Sequence, residues 1–147
     1  MNAKQYLRQI EELDIKIKQK QEQLDCLRET AGGAAAIRYD KMNVQVTVVQ
    51  DMVERNVIKL FELEQKILAD RTKLEQIKDH IIDQIQSLDD KRFVMLLYLR
   101  YVKYKRFEQI ALDMSYDYDY IRSLHGEALE AFDVQILNHT QSHISTC

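Results

Sequence analysis

The 147-residue chain contains no proline and only three glycines, so it has few places at which to turn. Sandwiches, barrels and alternating α/β domains all need many turns, and the sequence argues against each of them. An all-α protein built from long helices is what remains. Its 46% hydrophobic and 31% charged residues fit one soluble globular protein or two small modules.

The apolar spacing agrees. From Lys4 to about Arg28, apolar side chains recur at Tyr6, Ile10, Leu13, Ile17, Leu24 and Leu27, alternating four and three, with Lys20 the one polar interruption. That is the seam of a helix packed along another at a shallow angle, and it predicts a rod about 38 Å long. Glu29 to Gly33 should end this helix, with glycine closing it in the left-handed conformation. Val44, Val46 and Val48 alternate with polar residues, which leaves room for a short extended piece in a connector of about 29–46. No strand precedes the glycine pair and no Lys-Ser/Thr follows it, so it does not read as a phosphate loop.

The seam resumes from about Val49 through Val53, Leu60, Leu63, Ile67, Leu74, Ile77, Ile81 and Leu88, weakened where Asp70 and Gln84 fall on it. This second helix is the longer of the two. An antiparallel hairpin would therefore leave Ile77, Ile81, Ile82 and Ile85 uncovered by the first. Either the C-terminal module or a second copy must cover them, and a homodimer is expected.

Three regions follow: a coiled-coil helical hairpin over 1–86, a small three-helix domain over 87–133, and a loose tail over 134–147. Ser87 or Asp89 should cap the helix that opens the second region. At some 45 residues that region is too small to bury a sufficient core by itself and should lean on the coiled helices.

Within it, residues 107 to 126 carry the pattern of a helix-turn-helix. Two short helices that cross steeply need a small residue at the close approach, which Ala111 supplies. Phe107, Ile110, Met114, Tyr116, Ile121 and Leu124 sit at the offsets of a shared core. Ser115 occupies the turn, where glycine would tolerate the backbone better, and Asp117 is placed to cap the second helix. The apolar helix from Phe93 to Tyr101 completes a three-helix unit.

The order Leu88-Asp89-Asp90, Leu97 to Tyr101, Phe107 to Ala111 and Tyr120 to Leu124 resembles region 4 of sigma-70-type factors, a module that recognises promoter DNA and docks on RNA polymerase. Taken whole, the chain is similar to small phage and prophage proteins of Gram-positive bacteria, near the ArpU- and RinA-type late-gene regulators. The strongest shared stretches are Tyr6 to Leu13, Leu96 to Tyr101 and Leu124 to Phe132. The resemblance implies that the helix from Asp117 enters the major groove, with Tyr118, Asp119, Arg122, Ser123 and Gly126 toward double-stranded DNA. Arg122 is the natural donor to a guanine edge or a phosphate.

Charge departs from the sigma pattern. Between Lys91 and Phe107 stand six basic residues (Lys91, Arg92, Arg100, Lys103, Lys105 and Arg106) and no acidic ones. From Glu108 to Glu130 there are six acidic residues and one basic, Arg122. The reading helix is thus acidic, which opposes a polyanion, while Lys103, Lys105 and Arg106 could grip phosphates. Six of the eight tyrosines crowd between 98 and 120. Tyr98, Tyr101 and Tyr116 read as core; Tyr104, Tyr118 and Tyr120 read as surface.

No nucleophile with its base, no paired carboxylates and no nucleotide loop appear, so no enzyme, cofactor or small-molecule substrate is expected. His139, His143 and Cys147 fall at i, i+4 and i+8, but the segment is terminal and aperiodic with no fourth ligand, and no metal site is expected. The longest apolar run, Phe93 to Leu99, is far short of the roughly 20 residues that span a bilayer. The N-terminus has no apolar signal region, and Cys26 and Cys147 form no CxxC pair, so a reducing bacterial cytoplasm is expected, without a membrane partner. The function expected is that of a phage-type transcriptional regulator acting on promoter DNA, RNA polymerase or both. The rival expectations are a protein-binding adaptor that uses the sigma-like module without DNA, and an oligomeric phage assembly or packaging protein.

Overall fold

The computed structural model describes residues 1–36 and 43–138, with the side chains at 31–36 and 43–49 outside the description. The protein is all-α. Helix α1 (Ala3–Leu7) opens with a capping box: the Asn2 side chain accepts from the Gln5 N–H at 2.9 Å, and the Gln5 side chain accepts from the Asn2 N–H at 3.1 Å. Helix α2 (Gln9–Ala36) and helix α3 (Asn43–Gln86) are the long rods. Then come α4 (Lys91–Leu97), which continues as a π-helical turn over Tyr98–Val102, α5 (Phe107–Met114) and α6 (Tyr118–Phe132), itself continued by a π-helical turn over Asp133–Leu137.

Four details of the sequence reading are corrected. The first helix does not stop at the glycine pair: α2 runs through Gly32 and Gly33 to Ala36. Each glycine costs a helix about 1 kcal/mol relative to alanine, and Ala31 and Ala34 to Ala36, the best helix formers, flank the pair. Val44, Val46 and Val48 belong to α3, not to an extended piece, so of the expected 29–46 connector residues 37–42 fall between the rods, outside the described residues. The cap of α4 is neither Ser87 nor Asp89 but Asp90, whose carboxylate accepts from the Arg92 N–H. Residues 134–137 are not tail but the end of the last helix, with Ile136 and Leu137 packed on the core; 139–147 lie outside the described residues.

The chain forms two compact units, Met1–Leu13 with Leu74–Cys147, and Asp14–Lys73. The division thus falls at 13/14 and 73/74, not at 86/87. The reason is a shared core in the first unit: Ala3, Leu7 and Ile10 from the N-terminus, Ile81, Ile85 and Leu88 from the end of α3 and after it, and Leu97, Tyr101, Val102, Ala128 and Phe132 from the C-terminal helices are all buried together. Ile81 and Ile85 are therefore covered from within the chain, and the C-terminal helices do lean on the rods. The Tyr6 hydroxyl donates to Gln84 Oε1, so the polar interruption at Gln84 has a partner. A second cluster of Leu96, Ile110, Ala111, Ile121 and Leu124 holds α4, α5 and α6 together.

In the other unit the rods run antiparallel, with Arg28 paired to Glu64 at 2.7 Å and Arg71 donating to Gln21 at 3.1 Å. The remaining two polar seam residues meet each other: Lys20 pairs with Asp70 and holds its carboxyl below the ordinary carboxylate range. A half-buried pair of this kind, still open to solvent, adds about 0–1 kcal/mol of stability, and its larger effect is to fix the register of an apolar seam.

Candidate functional site

The turn between α5 and α6 decides whether a helix-turn-helix exists at all. Ser115 adopts φ 59°, ψ 42°, the left-handed region. Its N–H donates to the Leu112 carbonyl at 3.3 Å, and the Tyr116 N–H donates to the Ala111 carbonyl at 3.0 Å. This pair of bonds is the Schellman closure, which terminates α5 and redirects the chain into α6. A left-handed L-residue costs about 1–2 kcal/mol, part of which glycine returns through its larger unfolded-state entropy. We therefore expect Ser115→Gly to stabilise the protein by roughly 0.5–1 kcal/mol, seen as a higher urea midpoint; a lower midpoint would mean that the hydroxyl does unrecognised work.

Beyond the turn, α6 has two faces. Ile121, Leu124, Ala128 and Phe132 are buried, and Ala111 of α5 is buried in the cluster with Ile121 and Leu124. Tyr118, Asp119, Arg122, Ser123 and Gly126 are all exposed. Arg122 lies 5.8 Å from the Tyr118 ring centre. At Gly126 an added Cβ would meet nothing within 4 Å. Asp117 stands at the N-cap with an extended backbone, but its side chain makes no capping bond, contrary to expectation; its negative charge still suits the helix start.

The six basic residues do not act alike. Arg92 chelates Asp90, holding that carboxyl below its usual range, and donates to the Tyr120 hydroxyl at 2.6 Å. Arg100 stacks 4.3 Å from the Phe107 ring centre and donates to the Lys105 carbonyl. Lys105 pairs with Asp113 at 2.6 Å. Lys91, Lys103 and Arg106 are exposed. Of the eight residues expected to contact DNA, five thus share the outward face of α6. The other three, Lys103, Lys105 and Arg106, lie in the segment that leads into α5, with Lys105 already engaged. Tyr104, in that same segment, has φ 58°, so left-handed non-glycine residues precede and follow α5.

The tyrosines sort only partly as expected. Tyr101 is buried and Tyr98 packs against the core, but Tyr116 is on the surface, its ring 4.8 Å from that of Tyr120. The Schellman turn swings it outward. Tyr104, expected outside, packs against the core.

Two features escaped the sequence reading. One is an open depression of about 480 Å³ beside α4 and α5, lined by Met95, Leu99, Met114 and Tyr116 together with Lys91, Arg92, Lys105 and Asp113. Its lining comes from three separate stretches, 91–99, 105 and 113–116, so no local pattern announces it. The other is the setting of His125, a last-helix residue that reads from sequence as structural or exposed: its Nε2 lies 2.8 Å from the Tyr101 hydroxyl and its ring sits edge-on to Phe107 at 4.9 Å. Burial, helped by Arg100 and Lys4, pushes its pKa down to about 4, and burial raises that of Tyr101. Here a signal did exist: Ile121, His125, Ala128 and Phe132 follow one another at four, three and four, the spacing of a buried stripe.

Among the described residues no group of His, Cys, Asp and Glu is arranged to hold a metal ion, and no helix is long and apolar enough to cross a membrane. His139, His143 and Cys147 lie outside the described residues. Comparison with protein-family models, with curated proteins and with solved structures found no match.

Proposed function

We propose that this chain is a transcriptional regulator of the phage type, acting in the bacterial cytoplasm, whose α5–α6 helix-turn-helix engages promoter DNA, RNA polymerase or both. The observation that carries the reading is the division of α6: Ile121, Leu124, Ala128 and Phe132 are buried along one face, while Tyr118, Asp119, Arg122, Ser123 and Gly126 stand exposed along the other. Gly126 supports it further. A mid-helix glycine costs about 1 kcal/mol, and nothing inside the protein needs the missing side chain. A closely approaching partner would.

In this reading Arg122 contacts a base edge or phosphate, and Lys103 and Arg106, exposed ahead of α5, contact the backbone. The test is binding to double-stranded DNA across a salt series. Both Arg122→Ala and the triple Lys103→Ala/Lys105→Ala/Arg106→Ala variant should weaken binding. The triple variant should also flatten the dependence of log K on log salt by about two units, since each lost phosphate contact removes about 0.9 and Lys105 is already paired with Asp113. Unchanged DNA retention at low salt in both variants would refute DNA contact by these residues.

A second reading has its own observation. Asp117, Asp119, Glu127 and Glu130 are exposed at the start of and along α6 against the single cation Arg122, and the nearby depression sets Met95, Leu99, Met114 and Tyr116 beside Lys91, Arg92, Lys105 and Asp113, a mixed apolar and charged lining that suits a protein surface. An adaptor that binds a protein partner without DNA would be unaffected by salt in the DNA assay because it would not bind DNA at all.

A further inference from the structure

The unit formed by Asp14–Lys73 buries one seam and exposes a second. Along α3, Val57, Phe61, Glu64, Leu68 and Arg71 follow one another at four, three, four and three, the spacing by which one helix lies along another. Val57, Phe61 and Leu68 are each more than half exposed, and so is Ile58 beside them. Among the described residues of this unit, Ile17, Leu24, Leu63 and Ile67 are the buried apolar side chains. Two rods side by side can cover only the faces they turn toward each other, so an apolar stripe on the outer face of one needs a third surface to bury it. The two sides of the hairpin also differ. One carries Lys20, Lys59, Glu62 and Lys66 around Leu63. The other has a groove of about 490 Å³ beside Leu68, bordered by the Arg28–Glu64 pair.

We propose that the stripe on α3 is the contact between two copies of this chain, the α3 helices lying antiparallel about a two-fold axis. Such an interface is isologous, so the stripe must complement itself. One register achieves this. It sets Val57 against the partner's Leu68 and Glu54 against the partner's Arg71, and each pairing recurs by symmetry. Phe61 then comes level with the partner's Glu64, whose charge is taken by Arg28 of its own copy. Sliding the register by one heptad in either direction separates Glu54 from the partner's Arg71 and loses that pairing. A second copy is preferred over a foreign partner because the stripe carries both halves of each pairing.

The mass of the full-length chain in solution, measured by sedimentation over rising concentration and without DNA, tests this. The expected species is a dimer of the 17.5 kDa chain. Leu68→Glu, which places a carboxylate against Val57 at two symmetric points, should weaken dimerisation about 100-fold. Glu54→Lys should weaken it about tenfold, and Arg71→Glu likewise, since each reverses two pairs. Combining Glu54→Lys with Arg71→Glu should restore affinity to within a few-fold of the parent, with helicity by circular dichroism unchanged throughout. The proposal is overturned by a monomer at all concentrations, by a particle larger than two copies, by a dimer that tolerates Leu68→Glu, or by a double reversal that does not restore association. Because DNA is absent, the outcome is independent of whether α6 reads promoters.

Discussion

Replacing Phe132 with alanine should destabilise the first unit by about 3–5 kcal/mol, the range for truncating a large side chain in a core that cannot collapse around the gap. Phe132 is fully buried, and its ring centre lies 5.8 Å from that of Tyr6. Buried in the same cluster are Ala3, Leu7, Ile81, Ile85, Leu97 and Tyr101, drawn from three separate stretches of chain. Because those stretches sit on rigid helices, little can move in to fill the space. A small domain is stable by only about 5–15 kcal/mol, so the loss is a large share of the whole. The readout is favourable, since the chain has no tryptophan and seven of its eight tyrosines belong to this unit. Near-ultraviolet dichroism during urea unfolding therefore reports on it selectively. Leu112→Ala serves as control: Leu112 is 81% exposed, and its truncation should change stability by less than about 0.5 kcal/mol. A loss below about 1 kcal/mol for Phe132→Ala would mean that the N-terminal residues and α6 do not share one core.

The architecture was legible in the sequence wherever it rested on periodicity. The four-three seam announced the rods, and Ala111 with Ile110, Ile121 and Leu124 announced the α5–α6 pair, because burial on a helix repeats at a spacing that can be counted. What failed to show is whatever depends on partners distant in sequence. Lys20, Asp70 and Gln84 read as flaws in two seams, yet Lys20 and Asp70 pair with each other and Gln84 accepts from Tyr6. Only the register between the rods could reveal this. The glycine pair read as a stop because glycine disfavours helix, but the surrounding alanines outweigh it over a whole window. Tyr116 counted as core by offset alone, whereas the left-handed Ser115 rotates everything after it. Of the candidate site, the outward residues of α6 could be read from the same period that gave its core. The engagement of Arg92 with Tyr120 and of Lys105 with Asp113 could not, since charge in a sequence does not say which charges are already paired.

The second large effect expected is on pH dependence, and it comes from His125. Its pKa in the folded chain, about 4, lies below the ordinary histidine value of about 6.5. Above that ordinary value neither state is protonated and the neutral ring is accommodated without cost. As pH falls through 6.5 the unfolded chain takes up a proton that the folded chain refuses, so stability declines until the folded ring is protonated near pH 4. With some allowance for residual exposure, the loss over that window is on the order of 2–3 kcal/mol. Asp70 and Asp90, whose pKa values are lowered, contribute stability that is lost only as pH falls below the ordinary carboxylate range, so the interval from 6.5 to 4 is the histidine's. His125→Gln is the informative variant, because an amide can still bond the Tyr101 hydroxyl but does not titrate in this range. It should be less stable than the parent at pH 7, having lost the edge-on contact with Phe107, and yet flatter with pH between 6.5 and 4.5. The slope, not the level, is diagnostic. A parent whose urea midpoint does not move over that interval, or a variant that keeps the parent's slope, would show that the ring is protonated without penalty. The Tyr101–His125 contact would then not be what seats α6 against the π-helical turn after α4.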